Sequence, residues 1–206
     1  MITSKAREYY SIVTRLRKAN LPFVSLVPGT SDPECDLVIT TRGEDGPFGS
    51  RVFVVEELDE RPLIFRGQVL SRIDDGRGTV LVGIDPGNRI GLAAYYGDAE
   101  LGFATFGSTD KLCDMVATLV RKIPSRESLV RIGNGNLTQA VRLGTTLMEL
   151  VPDAVIEMVD ESGTSSRRTR IRGIQGDQMA AAKIALRKGR PLLQDSRSRS
   201  RLSQYP

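Results

Sequence analysis

Residues 81–96 are LVGIDPGNRIGLAAYY, two apolar runs separated by a polar turn. The apolar run that leads into it predicts a buried strand, yet that strand ends on a carboxylate, Asp85. Pro86 fixes φ and Gly87 can adopt a positive φ, so the chain is expected to turn sharply before a second strand begins at Ile90. Asp85 either starts a turn by bonding its own backbone or lies at a ligand-binding edge of a sheet.

The residues that follow predict an α/β fold with a mixed five-stranded sheet. Three strand-like runs come first, and then helices alternate with two more strands, in the order β-β-β-α-β-α-β-α. The dipeptide Gly97-Asp98 predicts a hairpin turn between the second and third strands. Hairpins next to helical crossovers indicate a sheet with antiparallel and parallel neighbours and with helices packed on it.

The chain of 206 residues divides into three predicted regions. Residues 1–73 predict a small α/β domain of unknown role, with a helix at each end and three strands, at 22–27, 35–41 and 51–57, between them. A turn-rich stretch at 73–78 separates it from the second region, 79–190. Residues 191–206 predict a basic, disordered tail.

Composition narrows the possible chemistry. The chain has no His, which removes the commonest general base and metal ligand, so catalysis would need carboxylates, hydroxyls, amides, Lys or Arg. Cys35 and Cys113 lie far apart, outside any metal-ligand spacing, and are expected to be reduced thiols. No secretory or membrane-spanning run is present, so a cytoplasmic protein without a membrane partner is expected.

The positive charge is concentrated toward the end of the chain. The formal net charge is only +4, but the stretch SGTSSRRTRIRG holds four arginines that are candidates for gripping phosphates: Arg167, Arg168, Arg170 and Arg172. A one-sided arginine cluster favours a polyanionic partner. The alternative is a surface loop with solvated arginines.

Further acids occur where the predicted elements meet. Asp160 and Glu161 follow the fifth strand of the second region, and Asp177 opens the last helix. Each has a simpler explanation, as a polar loop start or as a first-turn acid favoured by the helix dipole. Together with Asp85, however, they are expected at one edge of one sheet, where clustered carboxylates repel one another unless a cation neutralises them. Oxygen ligands alone favour Mg²⁺ or Mn²⁺.

These motifs resemble those of the ribonuclease H-like nuclease superfamily. The run GIDPG, the element order and the terminal GDQMAAAKIAL are similar to those of the RuvC-like Holliday-junction resolvases and the YqgF-like nucleases. The whole chain resembles an archaeal type of such a protein. The resemblance covers residues 79–190 and implies metal ligands at Asp85 and Asp177. YqgF-like members also have an Asp-Glu pair at the position of Asp160 and Glu161, in VDESGTS.

The resemblance has one departure, at the end of the fourth strand of the second region. RuvC-like enzymes place a catalytic Glu there, whereas this strand ends in RIGNGN. YqgF-like sequences also lack that Glu, which favours that branch and equally allows a lost activity. Asn134 could supply a neutral carbonyl ligand, or it could simply belong to a Gly-Asn-Gly turn.

The resulting expectation is a metal-dependent endonuclease that acts on branched DNA or structured RNA. Two cations about 3.5–4 Å apart would activate water and stabilise the leaving oxygen. The expected catalytic residues are Asp85, Glu161 and Asp177, and Asp160 is a further candidate ligand. The alternatives are a catalytically inactive nucleic-acid-binding protein of the same fold and, more remotely, an actin-like ATPase. Cleavage of two strands would favour a homodimer.

Overall fold

The computed structural model describes residues 1–29, 35–44, 52–161 and 176–192. The chain forms two compact units. Unit 1 contains residues 1–80, 94–103 and 118–128, and unit 2 contains residues 81–93, 104–117 and 129–206. The predicted domain 1–73 therefore lies inside unit 1, while the predicted domain 79–190 contributes residues to both units.

Unit 1 contains a small two-stranded parallel sheet with two helices. Strands β1 (Val38–Thr40) and β2 (Val52–Val54) pair with Val38 opposite Val52. Helices α1 (Ala6–Lys18) and α2 (Pro62–Ile73) supply much of the apolar core, and Pro62 stands in the first turn of α2, where its missing N–H costs no hydrogen bond. This part of the chain therefore contains two helices and one parallel strand pair.

One predicted strand of this region does not form. Residues 22–27 make only an isolated parallel bridge, between Leu26 and Ile2, and a 3-10 turn at Val55–Glu57 shortens the strand predicted at 51–57. An apolar run becomes a strand only where a neighbouring strand can take up its backbone groups, and this information is not local.

A six-stranded sheet has the strand order β5-β4-β3-β6-β7-β8. Its strands are β3 (Thr79–Asp85), β4 (Ile90–Tyr96), β5 (Ala99–Phe106), β6 (Glu127–Gly133), β7 (Val155–Val159) and β8 (Arg190–Pro191). Gly97, with φ of 54°, lies in the tight turn that joins β4 to β5. The hairpin predicted at Gly97-Asp98 is therefore present.

Strands β3, β6 and β7 run in the same direction. The N–H of Arg126 donates to the carbonyl of Gly78 at 2.9 Å, and these residues directly precede β6 and β3. Strands β6 and β7 pair in parallel, with Ile132 opposite Met158. The carboxyl ends of the three strands therefore lie at one edge, the edge at which ligands bind in open α/β sheets.

Three helices accompany these strands. They are α3 (Thr109–Lys122), α4 (Leu137–Leu150) and α5 (Gly176–Ala185). The side chain of Asn136 caps α4 by accepting from the Gln139 N–H at 3.2 Å. Among the described residues, no helix has both the length and the apolar character to cross a membrane.

The expectation of an α/β fold with a mixed sheet is confirmed, but the strand count of five is wrong. The sixth strand, β8, has only two residues and pairs antiparallel to β7, with Arg190 opposite Met158. Leu192 extends this pairing by donating to Ile156 at 2.8 Å. So short a strand, with a proline at a sheet edge, leaves no alternation in the sequence to detect. Residues 193–206 of the predicted tail lie outside the described residues.

Candidate active site

Three of the predicted acids lie at the ends of elements that belong to unit 2. Asp85 is the last residue of β3, Glu161 follows β7 by two residues, and Asp177 is the second residue of α5. The position of each along its element was predictable from the sequence. What brings them together is the way in which α5 packs on the sheet.

Helix α5 lies against glycines in three adjacent strands. A Cβ built on Gly83 of β3 would stand 2.2 Å from the carbonyl oxygen of Ala181 and 2.6 Å from the backbone nitrogen of Ala185. A Cβ on Gly133 of β6 would stand 2.6 Å from the side chain of Ile184. The backbone of α5 therefore approaches β3 closely at Gly83, and the side chain of Ile184 packs where β6 has no side chain at Gly133.

Gly91 of β4 places the first turn of α5, and Asp177 with it. A Cβ on Gly91 would lie 2.1 Å from the carbonyl oxygen of Asp177. Gly83 and Asp85 are two residues apart on β3, so their side-chain positions share the face that α5 covers. The sequence analysis did not identify these glycines, although glycine inside a strand often marks a close backbone approach.

The electrostatic environment of Asp85 reflects this convergence. Burial, followed by the neighbouring charges of Glu161 and Asp177, raises the pKa of Asp85 to about 6, from an ordinary value of 3.8. Burial raises it because a desolvated carboxylate is costly, and the other two acids add repulsion. The structure therefore brings Asp85, Glu161 and Asp177 within electrostatic reach of one another.

Asp160 occupies a different environment from its neighbour Glu161. Asp160 is exposed, and its carbonyl oxygen accepts from Arg187 Nη1 at 3.2 Å. Its carboxylate is not among the charges that raise the pKa of Asp85. Of the Asp-Glu pair, it is Glu161 that interacts with Asp85.

Glu161 is held at the end of β6. Its Oε1 accepts from the Gly135 N–H at 2.9 Å, and its own N–H donates to Asn134 Oδ1 at 3.0 Å. Asn134 is therefore more than a turn residue, and its carbonyl oxygen already serves the backbone of Glu161. This contact joins loops that are 27 residues apart, which is why the sequence did not reveal it.

Arg89 is a site residue that the sequence analysis missed. Its Nε lies 3.8 Å from Asp177 Oδ2, and its side chain is 60% exposed. It lies just before β4, in the turn that begins at Pro86. A guanidinium there lowers the local negative charge and presents N–H donors suited to a phosphate.

The four arginines predicted to contact nucleic acid, Arg167, Arg168, Arg170 and Arg172, lie outside the described residues. Their proposed role stays a prediction from the sequence.

The acids of this site offer the kind of ligand atom, a carboxylate oxygen, that hard divalent cations prefer. Asp85, Glu161 and Asp177 offer carboxylate oxygens, and a cation would relieve the repulsion that raises the pKa of Asp85. Over the described parts of the chain, no group of three or more Asp, Glu or Cys side chains is gathered tightly enough to enclose an ion.

A mostly buried ion pair fixes the other end of α5. Arg131 of β6 donates through Nε to Glu157 Oε2 of β7 at 2.9 Å, and through Nη1 to the carbonyl oxygen of Ala185 at 2.5 Å. The side chains of Arg131 and Glu157 are 14% and 16% exposed. Glu157 also accepts from the Gly189 N–H at 3.2 Å.

We expect Glu157→Gln to lower the free energy of unfolding by about 1–2 kcal/mol, because the charged hydrogen bonds become neutral and Arg131 loses its counter-charge. Urea unfolding measures the change. Glu127→Gln, at the exposed first position of β6, is the matched control and should change stability by less than about 0.5 kcal/mol. Equal losses in the two variants would contradict a clamping role for Glu157.

No family model matches the chain, and a search of the curated proteins finds no match.

Proposed function

We propose that the protein is a cytoplasmic, metal-dependent endonuclease with a ribonuclease H-like fold that hydrolyses phosphodiester bonds in branched DNA or structured RNA. The observation that supports this most is the convergence of Asp85 at the end of β3, Glu161 after β7 and Asp177 in the first turn of α5, which packs against Gly91. The raised pKa of Asp85, caused by burial and by the charges of Glu161 and Asp177, agrees with it. Three acids from separate elements, meeting at the carboxyl edge of a sheet, form a cluster that repels itself and suits a divalent cation.

Four side chains near this edge would each have a role in the reaction. Asp85, Glu161 and Asp177 would hold Mg²⁺ or Mn²⁺, which when bound would activate water and stabilise the leaving oxygen. Asp85 is half-buried, which limits the water that competes for its oxygens and strengthens its attraction to a cation. Arg89 would contact a phosphate of the substrate and orient it against the carboxylates.

The chain compensates for its lack of histidine through this arrangement. A carboxylate set that binds a cation requires no separate general base, since the water loses its proton more easily in the field of the cation. The arginines at 167–172 would add sequence-independent contacts to the phosphate backbone, so binding should weaken as salt rises.

The test is cleavage of a labelled four-way DNA junction and of a structured RNA. We expect cleavage of at least one substrate with Mg²⁺ or Mn²⁺, and none with EDTA. Asp177→Asn should reduce the rate about 100-fold or more, because the cation loses a ligand and Arg89 loses its partner. Asp153→Asn, at an exposed acid in the turn before β7, should cleave at the normal rate.

A second candidate is a nucleic-acid-binding protein of the same fold without catalysis. Two observations favour it: β6 ends without an acid, and the described acids are not gathered tightly enough to enclose an ion. A gel-shift assay with the same two substrates separates the two functions. Binding of the junction or the RNA, with no cleavage under any cation, would select the binding protein.

A further inference from the structure

The tripeptide Gly133-Asn134-Gly135 contacts Glu161 with each of its three residues. It ends β6 and leads into α4, whereas Glu161 follows β7. Strands β6 and β7 are parallel neighbours with Gly133 opposite Val159. The loop after β6 thus contacts the loop after β7, at the edge of the sheet where β3 ends in Asp85.

Both glycines leave space for the carboxylate. A Cβ on Gly133 would stand 2.1 Å from Glu161 Oε1 and 2.9 Å from its Cδ, and a Cβ on Gly135 would stand 3.1 Å from the same Oε1. Any side chain at 133 would therefore collide with the carboxylate. The N–H of Gly135 donates to that oxygen at 2.9 Å, which fixes the side chain over the end of β6.

Asn134 fixes the backbone of the same residue. Its Oδ1 accepts from the Glu161 N–H at 3.0 Å, and its own N–H donates to the carbonyl of Val159 at 3.0 Å. Asn134 therefore bonds on both sides of Asp160. These bonds fix the path of the chain out of β7 and the position from which the Glu161 side chain leaves it.

The same stretch also contacts the turn after Asp85. Gln139, in the first turn of α4, donates through Nε2 to the carbonyl oxygen of Gly87 at 3.3 Å. Asn134 and Gly135 thus hold the loop that contains Glu161, and Gln139 holds the turn that follows Asp85.

We propose that Gly133-Asn134-Gly135 is a cradle that positions Glu161 for a divalent cation, with Asn134 as a positioning residue. A carboxylate from the loop after β7 is thus held over the end of β6, which has no acid of its own. The cradle rests on the proposed function, because that function supplies the cation that the carboxylates bind. Within it, Asn134 positions Glu161 and does not itself bind the cation.

The test is Mn²⁺ binding to the full chain, measured by isothermal titration calorimetry, with Asn134→Ala, Asn134→Asp and Asn136→Ala. Asn136 is the matched control, because it is an asparagine two residues away whose side chain caps α4 and bonds to Gln139. We expect Asn134→Ala to weaken Mn²⁺ binding about 10- to 100-fold, the usual effect of removing a group that orients a ligand. Asn136→Ala should bind within about two-fold of the unmodified chain.

Asn134→Asp keeps the acceptor oxygen for the Glu161 N–H and adds a carboxylate at the end of β6. It should bind Mn²⁺ at least as tightly as the unmodified chain. Hydrogen exchange provides a second readout, since the Glu161 amide should lose protection in Asn134→Ala and keep it in Asn134→Asp and Asn136→Ala.

The outcomes separate this inference from the nuclease proposal. If Asn134→Ala weakens Mn²⁺ binding and the unmodified chain cleaves no substrate, the cradle stands and the nuclease fails. If the unmodified chain cleaves but Asn134→Ala binds Mn²⁺ normally, the nuclease stands and the cradle fails. Equal weakening in Asn134→Ala and Asn136→Ala, or no Mn²⁺ binding by the unmodified chain, would also overturn the cradle.

Discussion

Asp85→Asn should abolish cleavage and, at pH 7 without divalent cations, make the protein more stable. Asp85 is a proposed cation ligand, and its loss should reduce the cleavage rate about 1,000-fold or more, since a bound cation would supply several kcal/mol of transition-state stabilisation. The gain in stability follows from the half-buried carboxylate, which is near two other acids and whose pKa is raised to about 6.

The pH dependence follows from the direction of this pKa change. Because the pKa of Asp85 is higher in the folded protein than its ordinary 3.8, the folded state holds the proton more tightly than the unfolded state. The resulting stabilisation is fully present below about pH 4 and is lost as the pH rises through about 6. Above that pH the ionised Asp85 weakens the fold.

The size of the effect is limited by solvent. The difference between the two pKa values corresponds to at most about 3 kcal/mol, and because the side chain keeps part of its hydration, about 1–2 kcal/mol is expected. Asn has nearly the same shape and no charge, so Asp85→Asn should gain this amount at pH 7.5 and almost nothing at pH 4. Urea unfolding of both proteins at the two pH values measures it.

Divalent cations should make the unmodified protein more stable than Asp85→Asn, the reverse of the order expected without them. Mn²⁺ at 100 times its Kd would stabilise the unmodified protein by about 2.7 kcal/mol, and Asp85→Asn much less. The difference in the free energy of unfolding between Asp85→Asn and the unmodified protein should depend on pH. The same difference at pH 4 and pH 7.5 would refute the raised pKa of Asp85. That result would mean that ionised Asp85 is already compensated in the fold.

The sequence predicted those features that depend on local patterns. Strand β3 was expected to end at Asp85 because an apolar run stops there before Pro86 and Gly87, and the structure ends it at that residue. The hairpin at Gly97 likewise follows from residue types at fixed offsets. Runs of this kind determine where an element begins and ends, because backbone preference and side-chain capping act within a few residues.

The features that were not predicted depend on contacts between distant parts of the chain. Asn134 bonds to Glu161 across 27 residues, and Arg89 acquires its role only when α5 brings Asp177 to it. Residues 22–27 have an apolar pattern suited to a strand, but they form a single bridge. The convergence of the acids could be anticipated because parallel strands end at one edge. Which member of the Asp160-Glu161 pair interacts with Asp85 depends on contacts with distant residues, and the sequence does not show these.

The strand glycines offer the most sensitive test of how the site is assembled. In Gly91→Ala the new methyl carbon would lie 2.1 Å from the carbonyl oxygen of Asp177 and 2.5 Å from its carbonyl carbon. Both atoms are backbone, so no side-chain rotation can relieve the overlap, and the first turn of α5 must move. We expect a loss of about 3 kcal/mol or more in the free energy of unfolding, at the upper end of what overpacking costs.

The same movement should impair the site beyond its effect on stability. Asp177 would shift with the helix, and a displacement of about 1 Å can cost about 100-fold in rate. Gly107→Ala is the control, because a Cβ at Gly107 meets nothing within 4 Å, and it should leave both unfolding and Mn²⁺ binding nearly unchanged. If Gly91→Ala unfolds at the same urea concentration as Gly107→Ala, α5 does not press on β4 as described. If Gly91→Ala is destabilised but binds Mn²⁺ normally, Asp177 does not belong to the cation site, and the ligand set would have to be built on Asp85 and Glu161 alone.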